Sequence, residues 1–213
     1  PTESRTLVGP VFIRTERRNL LPHMKEVSST VSYTFYADQP YVMVTTLTEI
    51  LEDIDVQALR NSEIVFNHAV FDEFAWRDPS SGKPRTLPLD ETARHPLHAV
   101  HVEPDVGWLA FLSRKQACAF GGIPLEVTAI DRLGRQPMTQ QPYIYVNNGP
   151  WMYWSRGLVY PFGSNNFTRM VRVPAGGIYY ERTAYLPFPL GKAEPFEKIE
   201  STSARLRDPL DVE

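Results

Sequence analysis

Asn147-Asn148-Gly149-Pro150-Trp151-Met152-Tyr153-Trp154-Ser155-Arg156 sets a turn signal directly before two tryptophans, a tyrosine and an arginine. Asn-Gly and Gly-Pro are turn dipeptides, so the run reads as the end of one strand and the start of the next. Successive side chains of a strand leave on opposite faces, which divides the rings between a core face and a free face. A free aromatic ring beside a guanidinium suits the apolar face of a sugar and its hydroxyls or carboxylate. Trp and Tyr are equally ordinary β-sheet core residues, so both readings of Trp151, Tyr153 and Trp154 stand at this stage.

The same pattern continues on both sides of this run. Downstream, Thr168 to Val173 and Gly177 to Leu186 are rich in β-formers and are separated by Pro174-Ala175-Gly176-Gly177. Upstream, Val31 to Tyr36 and Tyr41 to Thr48 flank the turn Ala37-Asp38-Gln39-Pro40, a separation that implies antiparallel pairing. Leu47 to Phe66 reads as strand, acidic turn at Asp53 and Asp55, then strand. Val100 to Leu112 (broken at Pro104-Asp105), Ala117 to Phe120 (ended by a break at Gly121-Gly122), Leu125 to Leu133 and Tyr143 to Val146 add further short runs. Many short strands at regular spacing predict an antiparallel sandwich or barrel. Residues 1 to 29 read as an edge strand and a loop, and Arg77 to Arg94 as a long exposed connection. The fold expected is all-β, an antiparallel two-sheet β-sandwich with little helix, over residues 1–190. Residues 191–213 are expected to form an extended C-terminal tail.

Composition narrows the function classes. The 22 basic and 25 acidic residues give a net charge of -3 and are spread through the 213 residues, so no basic face recommends nucleic acid as a partner. No apolar run is long enough to span a bilayer, and the chain reads as soluble. A start at Pro1, without Met, leaves room for a removed leader or a longer parent chain, and the compartment stays open between cytoplasmic and exported. Cys118 is the sole cysteine, excluding an internal disulfide, and its apolar neighbours read as core.

Three clusters carry candidate chemistry. His95, His98 and His101 precede Glu103, but on a strand only His101 and Glu103 share a face, so the spacing lacks a common metal-ligand face. No metal or cofactor is expected, and acid–base work by His98 or His101 is the less demanding role. His68 reads as a hydrogen-bonded structural residue. In Ile178-Tyr179-Tyr180-Glu181-Arg182-Thr183-Ala184-Tyr185-Leu186, alternation puts Tyr179, Glu181, Thr183 and Tyr185 on one face, making Glu181 a base or hydroxyl acceptor, or else a surface ion-pair partner. Arg60-Asn61 is either a buried hydrogen-bonding pair or part of a carboxylate-reading site.

Four segments together carry a resemblance: Tyr33-Thr34-Phe35-Tyr36 with Pro40-Tyr41, Ala58 to Phe66, Trp108-Leu109-Ala110-Phe111, and Val173 to Glu181. The succession resembles the galactose-mutarotase-like β-supersandwich shared by aldose epimerases, many polysaccharide lyases and domains of glycoside hydrolases. The resemblance implies a saccharide ligand and His, Tyr, Arg or Glu as acid–base residues on a concave sheet. No one family's complete catalytic set aligns, and the chain is shorter than most stand-alone members, which implies a piece or subunit of a larger enzyme. The expectation is therefore a carbohydrate-active protein, foremost a lyase or related sugar-converting enzyme acting on an acidic saccharide. His98, His101, Tyr153 and Glu181 are its catalytic candidates. Arg60, Asn61, Trp151, Trp154 and Arg156 are its substrate-binding candidates. A non-catalytic carbohydrate-binding or subunit-assembly domain is the alternative, with a second chain or homo-oligomer as partner, and a cupin-like metalloenzyme is the third.

Overall fold

The structure is a computed structural model that describes residues 3–67, 69–89, 99–103, 105–131, 143–148, 152–159 and 170–208; for 99–101, 143–148 and 159 only the backbone is described. The strands run, in chain order, β1 Glu3–Val8, β2 Phe12–Leu21, β3 Met24–Tyr36, β4 Val42–Ile50, β5 Ile54–Val56, β6 Leu59–Phe66, β7 Glu73–Arg77, β8 Pro84–Pro88, β9 Ala99–Val102, β10 Leu109–Ser113, β11 Cys118–Ile130, β12 Tyr143–Asn148, β13 Met152–Val159, β14 Val171–Val173 and β15 Ile178–Pro189. A helix, α1 Glu197–Arg207, follows. The strands form a nine-stranded sheet, β1-β2-β3-β4-β15-β11-β10-β7-β8, a four-stranded sheet, β6-β13-β12-β9, and the pair β14-β5. The fold is all-β and sandwich-like, as expected.

The chain divides into two compact units. The first holds residues 1–63, 126–143 and 155–182. Its core gathers Val27, Ile50, Ile54, Val56, Leu59, Leu158, Val173 and Tyr179. These positions obey strand alternation: β5 reads buried, exposed, buried over Ile54-Asp55-Val56. The β3–β4 hairpin forms as expected, with Val31 opposite Thr46 and Tyr33 opposite Val44.

The N-terminal segment differs from its expectation. In place of one edge strand and a loop it builds β1, β2 and the start of β3, joined by the tight turn Pro22-His23, where His23 takes φ 62°. Its strand signal is weak because β2 is held on one face by polar pairs. Arg14 Nη2 donates to Glu16 Oε2 at 3.1 Å and to Ser32 Oγ at 3.0 Å. Arg18 reaches Ser28 Oγ at 3.2 Å and Glu49 Oε2 at 3.3 Å.

The second unit holds residues 64–125, 144–154 and 183–213. Phe66, Phe71, Phe74, Phe111, Phe120, Trp154 and Tyr185 form one continuous ring cluster in it. Four expectations are corrected there. The expected connection Arg77 to Arg94 is not a loop as far as it is described: up to Pro88 it closes the β7–β8 hairpin, with Gly82, at φ 64°, donating its amide to the Asp78 carbonyl at 2.8 Å, and its residues 90–94 lie outside the described residues. The Ser80 hydroxyl and amide on the Asp78 carboxylate hold it below its usual range.

Gly121-Gly122 does not break β11, which runs straight through the pair. A Cβ at Gly121 would run into Ile199 Cδ1, and one at Gly122 would lie 3.2 Å from Tyr185 Cε1, so these glycines admit close packing and do not mark a turn.

Instead of an extended tail, residues 197–207 are helical, with Ile199 and Thr202 buried and acidic and basic residues placed to match the helix dipole. Arg207 donates to the carbonyls of Gly107 at 3.1 Å and Pro124 at 2.6 Å. Cys118, expected in the core, is half-buried at the closing pair of the β10–β11 hairpin.

Candidate functional site

In the first unit, Glu181 on β15 gathers two of the residues singled out above, Arg156 and Asn61, and adds Ser62. Arg156 Nε, from β13, donates to Glu181 Oε1 at 2.9 Å. Asn61 Nδ2, from β6, donates to Oε2 at 3.0 Å, and Ser62 Oγ donates to the same oxygen at 2.7 Å. Asn61 Nδ2 also donates to Thr46 Oγ1 on β4.

Neighbouring residues of a regular strand point to opposite faces, yet Asn61 and Ser62 both reach one carboxylate oxygen. Ser62 makes this possible by adopting φ 50°, a left-handed conformation that costs a non-glycine residue on the order of 1 kcal/mol and is retained where the surroundings require it. Alternation alone assigns neither Ser62 nor Thr46 to this cluster, because the irregularity is invisible to the period-2 pattern.

The ion pair at the centre of the network is withdrawn from water, while Asn61 and Ser62 at its edge are half-buried. The Arg156 and Glu181 side chains are 1% and 4% exposed. A buried ion pair with hydrogen-bonded flanks is a framework connection between strands.

The other candidates separate. Arg60 points outward to Glu63 Oε2 at 3.5 Å. Trp154 is a core ring, 3% exposed, stacked on Phe111 at 5.5 Å and 3° between planes. Tyr153 is half-buried, one step of alternation from Trp154. The His101 backbone pairs with Tyr145 across β9 and β12, its side chain lying outside the described set. His98 and Trp151 lie outside the described residues, as do His68 and His95. Among the described residues no group of three His, Cys, Asp or Glu is placed to hold a metal, and no helix is long and apolar enough to cross a membrane.

Sequence reasoning overlooked a groove of about 440 Å³ on the same face of the sheet as Thr46, along β2 and β3. The register aligns Ile13 with Phe35, Thr15 with Tyr33, Arg17 with Val31 and Asn19 with Ser29. Leu20, Leu21, Pro22 and Val31 contribute apolar lining, and Tyr33 and Phe35 are 42% and 47% exposed. Exposed rings of this size, next to hydroxyl and amide groups in one recess, have the make-up of a small-molecule site. Tyr33 and Phe35 were legible as strand residues, but their exposure depends on which strands the second sheet covers.

No protein-family model matches the chain, and no curated protein matches it in sequence. Solved structures do match. A GH36 α-galactosidase from Geobacillus stearothermophilus in complex with stachyose shares 12% identity over 95% of this chain and 27% of its own, with a TM-score of 0.56. The galactosidase domain of an α-galactosidase-sucrose kinase shares 8% identity over 89% of this chain and 27% of its own, with a TM-score of 0.54. A galactose mutarotase-like protein from Lactobacillus casei shares 8% identity over 87% of this chain, with a TM-score of 0.44. The chain thus has a fold-level resemblance to β-domains of carbohydrate-active proteins, as its sequence had implied, and spans about a quarter of the length of the galactosidase chains.

Proposed function

We propose that this chain is a carbohydrate-binding β-domain whose ligand face is the β2–β3 groove. The exposure of Tyr33 and Phe35 in that groove, beside Thr15, Asn19 and Ser29, carries the reading. Rings take the apolar face of a sugar, and hydroxyl and amide groups take its hydroxyls. The fold shared with galactosidase domains supports a saccharide ligand, and galactosides are the first to test. Calorimetric titration with a panel of galactosides and neutral and acidic oligosaccharides is the experiment. Tyr33→Ala and Phe35→Ala should each weaken binding by roughly fivefold or more with the melting temperature unchanged, in line with the loss of one ring contact. A panel without a single binder, or variants that bind like the parent, would remove the proposal.

The sugar-converting reading has one observation in its favour, the convergence of Glu181, Arg156 and Asn61. As a lyase on an acidic saccharide, the chain would generate a new ultraviolet absorbance from uronate polysaccharides, and Tyr153→Phe would lower that rate by about a hundredfold, the usual size for an acid–base group. The burial of the Arg156–Glu181 pair favours the binding reading over this one.

A further inference from the structure

We infer that the β2–β3 groove selects a saccharide carrying a carboxylate, and that Arg17 is the residue that reads it; the inference rests on the groove being a saccharide site. The three arginines of β2 are used differently. Arg14 and Arg18 lie on the opposite face and are bonded to Glu16, Ser32, Ser28 and Glu49. Arg17 lies on the groove face, cross-strand from Val31 and next to the Thr15–Tyr33 pair. Among the described residues it makes no hydrogen bond or ion pair.

Among the described residues no aspartate or glutamate lines the groove, and the guanidinium is the one charged group in that lining. Uncompensated arginine in a recess favours an anion, and its planar fork matches the two oxygens of a carboxylate. The surroundings narrow the anion to a sugar acid. Tyr33 and Phe35 offer exposed ring surface, and Thr15, Asn19 and Ser29 offer hydroxyls and an amide with no side-chain bond among the described residues. A single planar cation suits one uronate. Sulfate and phosphate esters also accept the fork through two oxygens, but a phosphate ester carries up to two charges against this single cation, and the 6-sulfated sugar is therefore an arm of the test.

The test compares two trisaccharides that differ only at C6, trigalactose and trigalacturonate, titrated into the parent, Arg17→Gln and Arg17→Lys. Arg17 is exposed and unbonded, so these variants keep the fold, and their melting temperatures check it. The parent should bind the uronate about tenfold more tightly than the neutral sugar, with the preference shrinking as salt is raised, as an exposed charge contact requires. In Arg17→Gln the preference should fall to about one while neutral binding holds, and Arg17→Lys should keep an intermediate preference because ammonium lacks the fork. Equal binding of both sugars by the parent, or a preference that survives in Arg17→Gln, overturns the role of Arg17 and leaves the saccharide reading standing. Tighter binding of a 6-sulfated trigalactose than of the uronate overturns the carboxylate. Absence of binding to either sugar overturns this inference, whereas the reading beneath it falls only when the wider saccharide panel also yields no binder.

Discussion

Arg156 Nε and Glu181 Oε1 meet at 2.9 Å with both side chains withdrawn from water, and Glu181 spends its second oxygen on Asn61 and Ser62. The contact joins β13 of the smaller sheet to β15 of the larger one within the first unit, with β6 joined through the same carboxylate. Its energetics are those of a pair that stabilises only as a pair.

Removing one partner leaves the other charge buried. Arg156→Ala should therefore destabilise the protein by about 3 to 5 kcal/mol, whereas Arg156→Met with Glu181→Leu should recover much of that loss. Urea unfolding of the two singles and the double variant measures the coupling. A loss below about 0.5 kcal/mol for Arg156→Ala, the level of an ordinary surface change, would show the pair to be dispensable.

Ser62 combines a left-handed backbone with a hydroxyl bond to Glu181. Ser62→Ala loses the bond and keeps the strain, and losing a hydrogen bond to a charged group costs about 1.5 to 3 kcal/mol. Ser62→Gly loses the same bond but relaxes the backbone by about 1 kcal/mol. Thermal unfolding should rank parent, glycine variant, alanine variant in falling order. The reverse order of the two variants would mean that φ at this position is not what the geometry indicates.

Tyr179 sits in the first unit's core at 1% exposure, its hydroxyl making no hydrogen bond among the described residues. Burial raises its phenol pKa to about 12. Tyr179→Phe should be neutral or stabilising by about 1 kcal/mol at pH 7, since it deletes an unsatisfied buried polar group. The pH dependence has a fixed sign. The folded pKa lies above the ordinary value of 10.0, so the neutral phenol favours the folded state fully below pH 10, and that stability is lost as pH rises from 10 toward 12. Stability curves over this window should fall more steeply for the parent than for Tyr179→Phe. Parallel curves would place the phenol in water.

In the second unit, Ile199 of α1 covers Gly121 of β11 so closely that a methyl group at 121 has no room. Gly121→Ala should cost about 1 to 3 kcal/mol by overpacking. Ile199→Val removes the Cδ1 that the new methyl would strike and should partly rescue Gly121→Ala, although alone it costs about 0.5 to 1.5 kcal/mol. Additive losses in the double variant would mean that the helix is not seated on Gly121.

The strand pattern was readable from the chain because its causes are local. Turn chemistry around Ala37 to Pro40 and Pro174 to Gly177, with period-2 β-former runs between, identifies strands and hairpins before any long-range contact forms. The face containing Tyr179, Glu181, Thr183 and Tyr185 was legible for the same reason, and all four are buried. Errors arose where local signal and packing disagree. Gly121-Gly122 imitates a turn, β2 disguises a strand behind charged residues, and α1 has too few apolar residues to announce its helix.

Alternation and turn residues thus determined by themselves that this is an antiparallel β-protein and which residues share a face, since both follow from the pleat of the backbone. Only the tertiary structure decided that Glu181 meets Asn61, 120 positions away, that Trp154 is sealed among rings, and that Tyr33, Phe35 and Arg17 stay open to solvent. Those outcomes depend on how strands from different sheets are stacked, and a short-range pattern holds no information about which distant strand covers a given face.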